Sequence, residues 1–178
     1  MSTVRVTRND LQRLLVAGTI AAVLDATFAF FAYVVIAGRY DFESLLQYIA
    51  SGLLGHYAFA HHGVTGWLIA ALGFALHFGI SLSVAGIFFV ALRPFTTTRM
   101  RTVALGLLYG AAVWMFNAGV VLPLTDTRHE PFFGGWYIPF GVDHALFVGL
   151  PIAIVLASRA PRLTPIRARV APRAATEH

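Results

Sequence analysis

Residues 66–92 read GWLIAALGFALHFGISLSVAGIFFVAL, a run with no formal charge, one imidazole at His77 and small residues recurring among bulky apolar ones. About 20 apolar residues suffice to cross the hydrocarbon of a bilayer, so this run sets the fold class. Three more runs share its length and character. They are 14–38, interrupted by Asp25; 102–124, uncharged; and 139–158, with Asp143 and His144 near its start. Composition agrees: of 178 residues, 58% are apolar and 12% charged, whereas a soluble domain carries about 25% charged residues. A soluble globular enzyme and a disordered chain are both excluded. With no cysteine there is no disulfide framework, no thiolate metal site and no cysteine nucleophile. The first run is too long for the h-region of a cleaved signal peptide, which spans about 7–15 residues, and it holds a carboxylate.

All thirteen basic residues are arginine. They flank the apolar runs instead of mixing with aromatic and polar positions, which argues for topology signals and against nucleic acid as a partner. With four spans, the N-terminal arm (Arg5, Arg8, Arg13), the 93–101 loop (Arg93, Arg99, Arg101) and the tail (Arg159, Arg162, Arg167, Arg169, Arg173) share one side. Arg39 and Arg128 are left on the other. The arginine-rich side is the cytoplasmic one, so both termini are expected there, in a bacterial inner membrane. A fifth span over 44–65 would put the 93–101 loop and the tail outside, against this rule. Segment 42–60 instead places Leu45, Leu46, Ile49, Leu53 and Leu54 at helical spacing, with Glu43, Gln47 and Ser51 on another face. That pattern predicts an amphipathic interfacial or re-entrant helix between spans one and two. Residues 1–159 form one transmembrane domain, and 160–178 a disordered basic cytoplasmic tail that touches anionic headgroups.

Lipid tails are as apolar as leucine, so spans associate through close backbone contact at small residues. Each span carries such a stripe: Gly18, Ala21, Ala22, Asp25, Ala29 and Ala32; Gly66, Ala70, Gly73, His77, Ser81 and Ala85; Gly106 and Gly110, with Asn117 further along; and Gly141, Ala145, Gly149 and Ala153. Asp25 and His77 lie on these stripes and are expected to face the bundle interior. The Gly106–Gly110 pair is also a handle for a homodimer or a membrane partner. Pro151 lacks an N–H and should kink the fourth span near Phe147. Tyr40, Trp67, Trp136 and Tyr137 sit where an interfacial aromatic belt would.

At a rise of about 1.5 Å per residue, Asp25 lies roughly 18 Å and His77 roughly 16 Å from the outer ends of their spans. Asn117 lies roughly 10 Å and His144 roughly 8 Å down. Two polar layers are therefore expected, Asp25 with His77 near the midplane and Asn117 with His144 further out. A lone ionised carboxylate at the midplane costs at least ~2.5 kcal/mol, so Asp25 must be paired, hydrated or protonated. Such residues point to a proton- or solute-handling site; the bland alternative is a polar pair that fixes helix register. Gln47 and Ser51 are expected at the outer mouth. Asp143, in the first turns of its helix, suits the helix dipole.

Other chemistries find little support. A bis-histidine haem needs both ligands at one depth, and His77 and His144 differ by roughly 8 Å on this count. His56, His61 and His62 do not share one helical face, so no metal and no cofactor is expected. There is no GxSxG, HExxH or Walker A pattern. The loop 125–138, TDTRHEPFFGGWYI, has the composition of a lid or of an interfacial aromatic turn.

The stretch GLLYGAAVWMFNAGVVLPL (106–124), then an aromatic loop and DHALFVGLPIAIVLASR (143–159), resembles the C-terminal half of the YagU-like bacterial inner-membrane proteins. LLQYIASGLLG (45–55) and LGFALHF (72–78) look like stretches of many small four-span bacterial proteins. The resemblance implies a four-span inner-membrane protein and assigns no site residues. The sequence thus predicts an all-α membrane protein, a four-transmembrane-helix bundle. Its expected role is to bind or pass a small solute or protons at a site lined by Asp25, His77, Asn117 and His144. An accessory subunit packing through small-residue faces is the alternative; a haem- or metal-binding redox protein ranks third.

Overall fold

The computed structural model of the chain describes residues 7–125 and 135–157. Among these, every regular element is helical: α1 (Arg8–Ile36), α2 (Phe42–Leu54), α3 (Gly63–Ala91), α4 (Arg99–Leu124) and α5 (Tyr137–Leu156). All but α2 are long and apolar enough to cross a membrane. The basic tail and most of the 125–138 loop lie outside the described residues. The helices start a few residues earlier than the apolar runs, and polar caps begin α1 and α4. Thr7 and Asp10 form a reciprocal capping box at the start of α1, with Asp10 N–H donating to Thr7 Oγ1 at 3.1 Å. Thr98 Oγ1 accepts from Arg101 N–H at 3.2 Å at the start of α4.

The small-residue stripes are the packing seams. Ala17, Gly18, Ala21, Ala22 and Ala32 are buried on α1, and Gly66, Ala70, Gly73, Ser81 and Ala85 on α3. The space a Cβ on Gly18 would need is taken by Leu82. Gly106 and Gly110 are closed within the chain, which corrects their reading as a dimer handle. A Cβ on Gly106 would lie 2.8 Å from the Ala153 Cβ, and one on Gly110 would collide with the His144 carbonyl. Gly149, on the facing helix, is equally tight against Gly106 and Gly110. A small-residue face records that a backbone comes close, not whose backbone it is.

One end of the bundle is dense. Ala17, Ala21, Ala85, Phe88, Ile152, Ala153 and Leu156 form its core. Arg13 binds the carbonyls of Val155 and, at 2.9 Å, Ala157, filling acceptors left open at the end of α5. Arg93 pairs with Asp10 at 3.0 Å and lies over the Phe89 ring. The described arginines Arg8, Arg13, Arg93, Arg99 and Arg101 cap this end, whereas Arg39 follows the opposite end of α1.

α2 lies against the first turns of α3. Gly73 leaves room for the Leu46 carbonyl and the Ala50 amide, and Gly66 for the side chains of Glu43 and Gln47. Gly55 and Gly63, at φ 56° and 64°, turn the chain back from α2 into α3. A π-helical stretch, His144–Gly149, spans the region around Phe147 where the Pro151 kink is expected. Two further π-helical stretches occur, Phe30–Ile36 in α1 and Asn117–Val121 in α4.

Candidate functional site

Asp25, His77, Asp143 and His144 converge from three helices. His77 donates Nε2–H to the Ala22 carbonyl at 2.9 Å; a carbonyl only accepts, so this nitrogen carries the hydrogen. Its Nδ1 then faces Asp25 Oδ2 at 3.8 Å. The other Asp25 oxygen is 3.7 Å from His144 Nδ1. By the same logic His144 Nδ1 carries its hydrogen, since the Phe140 carbonyl lies 3.0 Å away; Asp143 Oδ2 lies 3.1 Å from the same nitrogen. The Asp25 carboxylate therefore sits between two imidazoles. Asp143 is behind them, its side chain fully buried and its Oδ1 without a hydrogen-bond partner.

This is one polar layer where two were expected. Asp25 and His77 meet as their stripes require, but His144 joins them instead of standing with Asn117 further out. The depth count assumed that all outer ends are level. α1 has 29 residues and α5 has 20, so α5 begins deeper and carries His144 to the level of Asp25. Asn117 lies on the wall of the same cavity, with no hydrogen bond to His144. Gln47 and Ser51 are not at an outer mouth. Gln47 is buried, and its amide donates to Glu43 Oε1 at 3.1 Å, the His61 carbonyl at 3.2 Å and the Gly66 carbonyl at 3.3 Å. Ser51 is buried and donates to the Tyr48 carbonyl. Gln47 thus knits α2 to the chain that follows it, whereas the Ser51 bond stays within α2.

Asp25, His77 and His144 line a cavity of about 780 Å³. α4 forms one wall, with Tyr109, Ala112, Val113 and Phe116; α2 and α3 form the other, with Leu45, Ile49, Ile80 and Ile87. Aromatic rings crowd the cluster: Phe140 stacks on Tyr33 at 5.0 Å and on Trp114 at 5.4 Å, and Trp114 touches the His144 ring at 5.0 Å. Trp114 is held in place by its N–H to the Tyr137 carbonyl, 2.9 Å. Of the residues expected in an aromatic belt, Trp136 and Tyr137 belong to this cavity wall.

Depth no longer argues against haem, but the fit does. A carboxylate occupies the space between the imidazoles, and the His77 Nε2 is engaged by Ala22. His56, His61 and His62 form no cluster with ligand atoms close together. Asp25, Asp143 and His144 do have ligand atoms within 4.8 Å of one another. As placed, however, His144 turns an N–H and not a lone pair toward the two carboxylates, which does not suit a metal ligand. The sequence assigns Asp143 to the helix dipole and not to the site, and it singles out none of Phe140, Trp114 and Tyr33. For Asp143 the available signal was its adjacency to His144. For the rings no periodic signal distinguishes a cavity wall from a lipid-facing surface.

No protein-family model, no curated protein and no solved structure matches the chain.

Proposed function

We propose that the protein is a non-enzymatic, four-span membrane protein that binds or passes a small solute or protons at the Asp25 site inside its bundle. The observation that carries this is the Asp25 carboxylate held between His77 and His144 on the wall of a cavity. Intramembrane ionisable residues are costly and are kept where they handle ions or protons. A close-set cluster of imidazoles and carboxylates can take up, hold and hand on a proton.

The membrane location is supported by the outward faces of the spans, where Ile36, Val64, Leu108 and Ile154 are exposed. Arginine asymmetry supports cytoplasmic termini, and the resemblance of 106–159 to YagU-like proteins supports the bacterial inner membrane. α2, with Gln47 turned into the protein and Phe42 and Leu53 outward, is the interfacial or re-entrant helix. An accessory role through Gly106 and Gly110 is disfavoured, because that face is already filled by α5.

The test is proton flux into liposomes carrying an enclosed pH dye, driven by a potassium diffusion potential. The wild type should dissipate the imposed gradient. Asp25→Asn, inserted and monodisperse, should reduce the rate at least tenfold. Equal flux in the two proteins, or flux no greater than in empty liposomes, overturns the proton assignment.

A further inference from the structure

The hydrogen-bonding groups on the cavity wall are unevenly matched. His77 Nε2–H is taken by Ala22 and His144 Nδ1–H by Phe140 and Asp143. Ser81 donates its hydroxyl hydrogen to the His77 carbonyl at 2.9 Å, Tyr109 donates to the Val84 carbonyl at 2.7 Å, and the Trp114 N–H is taken by Tyr137. What these groups still offer is acceptor capacity: the Asp25 oxygens, the second nitrogen of each imidazole and the hydroxyl oxygens. Asn117 brings both donor and acceptor, and the hydroxyls of Tyr33 and Tyr48 and the indole of Trp136 add donors around the cavity.

Charge points the same way. Asp25 is the one carboxylate among the described residues that lines the cavity. No arginine lines the cavity among the described residues, and the chain has no lysine. The rings of Tyr33, Phe140 and Trp114, stacked on one another, give the cavity an aromatic wall near this carboxylate.

The cavity is also open on one side. α4 packs its backbone on α5 and makes little backbone contact with α2 or α3. The rim of the gap carries the exposed apolar side chains Ile80, Ile87 and Phe116. With the spans in a bilayer, that gap faces hydrocarbon.

We propose that the cavity binds an amphipathic organic cation, with a protonated or quaternary onium centre at Asp25 and an apolar body reaching the bilayer between α3 and α4. This names the solute class for the site proposed above and rests on that reading. A volume of about 780 Å³ falls within the roughly 300–1,000 Å³ usual for small-ligand sites.

The test uses the full chain in detergent micelles, tetraphenylphosphonium as probe and isothermal titration calorimetry as readout. Triphenylphosphine oxide is the uncharged control. Tetraphenylphosphonium should bind one per chain, and the control at least tenfold more weakly. Asp25→Asn should weaken tetraphenylphosphonium at least tenfold, while Asp25→Glu, which keeps the charge, should retain most of the affinity. Ala112→Trp, at an exposed position on the α4 wall, should block binding with every carboxylate intact, so the inference does not depend on Asp25→Asn folding. No binding to the wild type, equal binding of the control, or binding unaffected by both Asp25→Asn and Ala112→Trp overturns it. Proton flux that persists without phosphonium binding would remove this inference alone. Phosphonium binding without flux would remove only the proton assignment.

Discussion

The two faces of α4 are built to opposite rules. Toward α5 it presents Gly106 and Gly110, and the facing helix replies with Gly149 and the main chain of His144 and Ala145, so that backbones touch. Toward α3 it presents Tyr109, Val113 and Phe116, and the helices stand apart around a cavity. Absent side chains close one face; large ones prop the other open. The seam fixes where His144 lies, and the gap decides what can reach it.

Breaking the seam should have the largest effect. Gly110→Val drives a side chain into the His144 carbonyl. It should cost about 3 kcal/mol or more, at the upper end for overpacking, read as a lower denaturation midpoint in detergent. It should also displace His144 and abolish proton flux. Removing the buried amide of α2 comes next. Gln47→Leu leaves the Glu43, His61 and Gly66 oxygens without their donor and should cost about 2 kcal/mol in the same assay. Filling the gap should hardly register in stability. Ala112→Leu adds bulk at an exposed position and should change stability by less than about 0.5 kcal/mol. A large loss there would mean that α3 and α4 are as tightly fitted as α4 and α5.

The smallest effect concerns the start of α2. The Ser44 N–H donates to Asp41 Oδ1 at 2.7 Å and holds that carboxyl below its ordinary value of 3.8. A carboxyl lowered in the folded state stabilises above its unfolded value, and this is lost as pH falls through the folded one. The protection factors of the amides in the first turn of α2, with intrinsic exchange divided out at each pH, should therefore hold steady from neutrality to pH 4 and fall only below 3.8. Asp41→Asn should remove that pH dependence.

The spans were legible because run length is a direct consequence of bilayer thickness. The inward facing of Asp25 and His77 was legible for a related reason: each sits in register with glycines and alanines that only a close neighbour explains. Three things were not. The seam partner of Gly106 and Gly110 depends on the other helices, not on the stripe itself. The meeting of His144 with Asp25 depends on how deep α5 begins, which run length does not encode. The engagement of Gln47 by Gly66 and His61 depends on the turn at Gly55 and Gly63, and the amphipathic pattern of α2 says only which face is polar, not what it meets.

The π-helical stretches in α1, α4 and α5 all lie beside the cluster, whereas α3 runs without one. In each, the backbone bonds five residues back instead of four, so the turn stores one surplus position. That slack can slide along a helix without breaking it, swinging the side chains it passes round the axis. Tyr33, Asn117 and His144 all lie within these movable turns. His77 does not, and is the fixed post about which the other three can be re-aimed.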